Sequence, residues 1–139
     1  CGDGPERETL ENAVREAGLQ ENILFRGSVR DMDAQYAGAA MYVLTSEMEG
    51  LPMVLLEAKS HGLPIVSFDI ETGPSDIVRD GVNGYLVKPG DIDAMAGKIC
   101  ELIGNDALRQ EFSENAALDM EKFDEERIVK QWETLIRSL

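Results

Sequence analysis

Two carboxylates, Glu49 and Glu57, stand eight positions apart in Ser46-Glu47-Met48-Glu49-Gly50-Leu51-Pro52-Met53-Val54-Leu55-Leu56-Glu57-Ala58. The run reads as a loop at the carboxyl end of a strand that turns into a helix, with Glu49 in the loop and Glu57 about one and a half turns along the helix. In open α/β sheets that edge is where ligands bind. Gly50 lets the backbone approach a ligand closely, and Pro52 fixes the helix start without offering an N–H. The first free N–H groups, those of Met53 and Val54, then form an anion site reinforced by the helix dipole. Carboxylates accept hydrogen bonds from hydroxyl pairs, so the arrangement suits a phosphate with sugars on either side. Spacing alone leaves open a plainer reading, in which Glu49 complements the helix dipole and Glu57 is a solvated helix residue.

The remaining reactive side chains are sparse. His61 is the single histidine and the first candidate for acid/base work, but its place beside Gly62 at a helix end fits complementation of the C-terminal dipole. Cys1 and Cys100 lie far apart without CxxC or Cys/His spacing, which indicates neither a disulfide framework nor a zinc site, and no metal ligands are assigned. Met32, Met41, Met95 and Met120 read as core filling, whereas Met48 and Met53 flank the loop that should face a ligand. Lys plus Arg number 13 against 27 Asp plus Glu, a formal net charge of -14. That balance argues against a non-specific nucleic-acid binder or a polybasic membrane-surface domain. An anionic ligand would have to find local donors in a repulsive field.

Positioning these residues requires an α/β scaffold. The 139 residues, 43% hydrophobic and 29% charged, have the composition of one globular domain. No apolar run approaches the roughly 18 residues of a membrane span, and no basic-then-apolar leader opens the chain, so a cytoplasmic location is expected. Punctuation and periodicity predict a helix over 5–17 stopped by Gly18, a strand over 22–25 and a short helix over 31–38 capped by Asp31. They continue with a strand over 40–44, a loop over 45–51, a helix over 52–60 ended by Gly62 and a strand over 64–68. A brief helix over 75–79, the turns Asp80-Gly81 and Asn83-Gly84 and a strand over 85–87 follow, then helices over 91–103, 105–117 and 125–139. The fold class expected is a Rossmann-like, doubly wound, mostly parallel sheet with helices on both faces. The opening Cys-Gly-Asp-Gly-Pro should follow a strand, so either an exposed edge left unsatisfied or a truncated sheet is expected, and the chain reads as cut from a longer one. On the last helix Trp132, Leu135, Ile128 and Ile136 form an apolar face, for ordinary packing or for a further domain.

The stretch from Glu49 to Glu57 resembles the E-x7-E motif of retaining, nucleotide-sugar-dependent glycosyltransferases of the group 1 (family 4) type. The resemblance extends to Gly2-Asp3-Gly4-Pro5, Ile23-Leu24-Phe25-Arg26-Gly27, Ala58-Lys59-Ser60-His61-Gly62-Leu63-Pro64-Ile65-Val66, Gly73-Pro74-Ser75-Asp76-Ile77-Val78 and Asp80-Gly81-Val82-Asn83-Gly84-Tyr85-Leu86-Val87, in the family's order. One departure is Thr72-Gly73-Pro74-Ser75-Asp76, where many members have Gly-Gly followed by Pro-x-Glu.

The resemblance implies one half of a GT-B fold, with residues 1–139 as the C-terminal, nucleotide-sugar-binding domain and the N-terminal acceptor domain absent. It implies Glu57 on the ribose hydroxyls and Glu49 as the catalytic carboxylate, addressing the donor sugar and helping to stabilise an oxocarbenium-like transition state. Gly50, Leu51 and Met53 would touch sugar and diphosphate, and Val29 and Arg30 would lie near the base. The implied reaction moves a sugar from a nucleotide-diphosphate sugar, UDP-sugar preferred, to an acceptor hydroxyl with retention, without a cofactor or an obligatory metal. Its partners would be the donor, the missing domain and an acceptor sugar or lipid-linked glycan of a surface polysaccharide, with no nucleic acid. The missing domain could hold the enzyme at the inner membrane face, and this fragment alone should be inactive. A nucleotide-sugar epimerase on the same scaffold, lacking its His-Arg-x-Glu-Asn or Thr-Glu-Arg-Pro-Glu signatures here, and a non-catalytic binding module are the alternatives.

Overall fold

The computed structural model describes residues 3–138; Cys1, Gly2 and Leu139 lie outside the described residues, and with them the Cys1 thiol and the first glycine of the opening turn. The chain divides into two compact units, residues 1–35 and 36–139.

In the first unit helix α1 spans Arg7–Glu16. Arg7 steadies it, its Nε donating to Glu11 Oε1 at 2.8 Å one turn on. The strand expected over 22–25 does not form. The segment is irregular and Leu24 is 66% exposed. A short apolar run becomes a strand only when a ladder partner takes its N–H and C=O groups, and none does so among the described residues. Asp31 Oδ1 accepts from the N–H of Ala34 at 3.1 Å and caps α2, Met32–Ala37, as its sequence position implies.

The second unit alternates strand and helix. Strand β1 is Tyr42–Leu44, helix α3 Met53–Ser60, β2 Ile65–Phe68, α4 Pro74–Ile77 and β3 Gly84–Val87. Helices α5, Ile92–Gly104, and α6, Asp106–Asp119, follow, then a 3-10 turn at Met120–Phe123 and α7, Glu125–Arg137. The three strands form one parallel sheet in the order β1-β2-β3, with Tyr42 opposite Ile65 and Ile65 opposite Gly84. All four residues of central β2 are buried, which is why its sequence shows no apolar–polar alternation, and the one polar side chain, Ser67, donates to the carbonyl of Phe68 at 3.0 Å.

Helices cover both faces, as expected. Val66, Phe68, Tyr85 and Val87 pack with Met95, Leu102 and Phe112 of α5 and α6 on one face. Ile65, with Tyr42, Leu44 and Leu86, packs with Leu55 of α3, Ile77 and Val78 and, from the 3-10 turn, Phe123 on the other. The chain ends α3 where the sequence places a stop: Gly62 adopts φ +70°, and the N–H of Leu63 reaches back to the carbonyl of Ala58 at 3.1 Å. Asp91, Asn105 and Asp124 cap α5, α6 and α7 through side-chain oxygens.

Helix α7 buries no side chain, and Trp132 is 61% exposed. Ordinary packing of the Trp132, Leu135, Ile128 and Ile136 face is therefore corrected: among the described residues that face is uncovered.

Candidate functional site

All three strands run in one direction, so the loops after β1 and β2 emerge at the same, carboxyl edge. Pro52, buried, is the N-cap residue of α3, and no side chain caps the helix; the first turn closes from the N–H of Leu55 to the carbonyl of Pro52 at 2.9 Å. The N–H groups of Met53 and Val54 are thus the uncapped donors of this helix start. Glu49 is half-buried in the loop before it, and Glu57 is exposed farther along the helix. Met48, 88% exposed, and the exposed Leu51 and Met53 line the same stretch, so the two methionines set apart in the sequence are indeed not core. A side chain at Gly50 would meet nothing, which leaves its backbone open to a ligand.

The loop after β2 docks onto this segment. Thr72 Oγ1 donates to the carbonyl of Glu49 at 2.6 Å. Gly73 sits at φ +100°, and a Cβ there would come within 2.5 Å of the Gly50 carbonyl and 2.6 Å of the Pro52 ring. Only glycine fits both the backbone and the approach. Asp76, the shorter carboxylate of the departing Thr72–Asp76 run, is exposed in the first turn of α4, and its side chain caps nothing.

Glu57 is gripped from behind. The hydroxyl of Tyr36, which is 3% exposed, donates to Glu57 Oε2 at 2.9 Å. The Tyr36 ring packs against Tyr42 at 6.0 Å and against His61 at 5.1 Å between centroids. His61 Nδ1 faces the carbonyl of Glu57 at 2.9 Å, so the histidine attends the end of α3, as its place beside Gly62 implies. Burial first, and then the negative charges of Glu57 and Glu49, push the Tyr42 phenol up from its ordinary range.

Two residues beyond Glu57, Lys59 is fully buried. Its Nζ donates to the carbonyl of Ile77 at 2.5 Å and to Asp119 Oδ2 at 2.6 Å, linking α3 to α4 and to the end of α6. Asn83 and Lys122 converge on the same carboxylate. Val29 and Arg30 stand in the irregular run leading into α2, within the first unit, Val29 half-buried and Arg30 exposed. Tyr36, Tyr42 and Thr72 are missed by sequence reasoning. Only the turn-forming Thr72-Gly73-Pro74 left a signal, as a departure from the resembled pattern.

Two of the cavities among the described residues lie away from the start of α3. A shallow groove of about 640 Å³ runs along α7 past Arg127, Lys130 and Leu135, away from both glutamates. A polar cavity of about 360 Å³ opens at the amino end of the strands beside Tyr36, His61, Pro64 and Arg109. Among the described residues no group of three His, Cys, Asp or Glu side chains could hold a metal ion, and no helix is long and apolar enough to cross a membrane.

Residues 1–119 match the family described as glycosyl transferases group 1. The chain belongs to that family. This group 1 glycosyltransferase sequence is 39% identical over 139 residues to an exopolysaccharide phosphotransferase of Streptomyces coelicolor, covering 99% of this chain and 15% of that protein. It is 33% identical to a poly(ribitol-phosphate) alpha-N-acetylglucosaminyltransferase of Staphylococcus aureus, covering 99% of this chain and 28% of the relative. The chain thus spans well under two thirds of these relatives. A solved structure of a TarM variant from S. aureus, in complex with fondaparinux, alpha-GlcNAc-glycerol and UDP, superposes with a TM-score of 0.90 at 32% identity, covering 96% of this chain and 27% of that one. The α/β fold expected, a parallel sheet with helices on both faces, is the fold observed, and the chain shares it with part of the TarM structure.

Proposed function

We propose that this chain is the donor-binding domain of a glycosyltransferase that moves a sugar from a nucleotide-diphosphate sugar to an acceptor hydroxyl, with retention, in surface or lipid-linked polysaccharide synthesis. The observation that carries the reading is the uncapped start of α3, bracketed by Glu49 and Glu57 at the carboxyl edge of the sheet. The N–H groups of Met53 and Val54, with the helix dipole behind them, meet the diphosphate and stabilise it as it leaves. Glu57 accepts from the ribose hydroxyls. Glu49 accepts from the donor sugar and opposes the positive charge that develops at its anomeric carbon. Gly50, Leu51 and Met53 shape the wall beside the sugar.

UDP is the preferred nucleotide, a choice supported by the UDP in the TarM structure. The alpha linkage in the S. aureus relative's name accords with retention from an alpha-linked donor. The phosphotransferase name belongs to a protein of which this chain matches 15%, and it assigns no chemistry to this segment. The acceptor is recognised by an N-terminal domain of the same enzyme, which works in the cytoplasm or at the inner membrane face.

Calorimetric titration of UDP and GDP into the full-length protein tests the donor site. Glu57→Ala should weaken UDP binding about tenfold or more, the value of a lost charge-assisted hydrogen bond. Glu49→Gln should lower kcat about 100-fold while leaving the UDP affinity within about threefold. Undiminished UDP binding by Glu57→Ala overturns the ribose assignment, and unchanged turnover removes the role of Glu49.

A further inference from the structure

We infer that Tyr36 is a positioning residue that aims Glu57 and so sets the discrimination between ribose and deoxyribose in the bound nucleotide. The inference rests on the donor-site reading and goes beyond it, because it assigns the selectivity of Glu57 to a side chain on another element. An exposed glutamate on a helix surface samples several rotamers, and a hydroxyl-reading carboxylate that moves freely loses its discrimination to entropy. Glu57 is not free in this way. The Tyr36 hydroxyl donates to Oε2 at 2.9 Å, a charge-assisted bond from a group that itself has little room to move.

Tyr36 is 3% exposed, and its ring is flanked by Tyr42 and by His61, at centroid distances of 6.0 and 5.1 Å. The main chain of Glu57 is fixed as well, by its place in α3 and by the approach of His61 Nδ1 to its carbonyl. With Oε2 engaged by the phenol, Oε1 is the oxygen left to accept from a ligand hydroxyl. A deoxyribose that lacks that hydroxyl leaves a pinned carboxylate without its partner, whereas an unpinned one turns to water at little cost.

The test compares Kd values for UDP and 2′-deoxy-UDP, and for 3′-deoxy-UDP, in the full-length protein and its Tyr36→Phe variant. The substitution removes one oxygen and keeps the ring packing, and a thermal midpoint for each variant checks that the fold is intact. The expected result is a fall of about fivefold in the preference for UDP over the deoxy analogue it discriminates against, with affinity for that analogue unchanged within about twofold. In a Glu57→Gln background the same change should leave the preference unaltered. Tyr36→Phe weakening all nucleotides equally would mark a purely structural residue and overturn the inference, as would an unchanged preference in a variant that binds normally. A wild-type protein that binds ribose and deoxyribose nucleotides alike overturns the ribose assignment of Glu57 itself, and the positioning role falls with it.

Discussion

The Thr72 hydroxyl donates a 2.6 Å hydrogen bond to the main-chain carbonyl of Glu49, across 23 residues of sequence. The bond joins the loops that follow β1 and β2, and it acts on the backbone of the residue proposed to face the donor sugar. Thr72→Val keeps the shape and removes the donor. It should lower kcat about three- to tenfold, the worth of one hydrogen bond, with UDP affinity within about twofold of wild type. Thr72→Ser should restore turnover, since it retains the hydroxyl. Steady-state kinetics beside nucleotide titration reads the two effects separately.

Gly73 makes the same contact possible by steric means. Its φ of +100° and the 2.5 Å separation between a built Cβ and the Gly50 carbonyl leave no room for alanine. Gly73→Ala should cost about 2–4 kcal/mol of stability, combining backbone strain with displacement of the partner loop. Denaturant unfolding followed by circular dichroism would show the midpoint shift, and Gly50→Ala serves as a control because a Cβ at Gly50 meets nothing.

The buried pair Lys59–Asp119 should respond asymmetrically to its two deletions. Asp119→Ala strands a fully buried ammonium and should destabilise by about 3–5 kcal/mol. Lys59→Met removes the buried charge while Asp119 keeps Asn83, Lys122 and Arg79 as partners, so it should destabilise less, by about 1–2 kcal/mol for the lost hydrogen bonds. Equal losses for the two variants would contradict this account of the pair.

Acid should act through Asp119. Burial alone would raise its carboxyl, but the hydrogen bond from Lys59 and the charges of Lys59 and Lys122 outweigh burial and hold it below the ordinary carboxylate range. The unfolded chain therefore binds the proton first as pH falls. The stabilisation is complete above the unfolded value near pH 4 and is lost as pH drops through the lower folded value. Urea unfolding between about pH 6 and 2 should show this slope in wild type and a flatter one in Asp119→Asn.

The parts of the fold readable in sequence are those governed by neighbours along the chain. Gly62 marks the end of α3, Asp31, Asp91 and Asn105 announce helix starts, and Ile65-Val66-Ser67-Phe68 declares a strand buried on both faces. The loop-to-helix segment from Glu49 to Glu57 is contiguous, so its chemistry could be anticipated. The segment 22–25 is a different case, since its apolar run carries no information about whether a ladder partner exists. Tyr36 and Thr72 reach the glutamates across 21 and 23 residues, and no periodicity encodes such a meeting. Lys59 misleads in the same way: a lysine in a helix reads as surface until α4 and α6 close over it.

The close approach of Gly73 to Gly50 and Pro52 also bears on engineering donor preference. A library that randomises the segment around Glu49 against a fixed second loop would lose many members to collision, whatever their affinity for a new sugar. Randomising positions 49–52 together with 72–74 allows compensating pairs to be recovered, so the unit of redesign is the pair of loops.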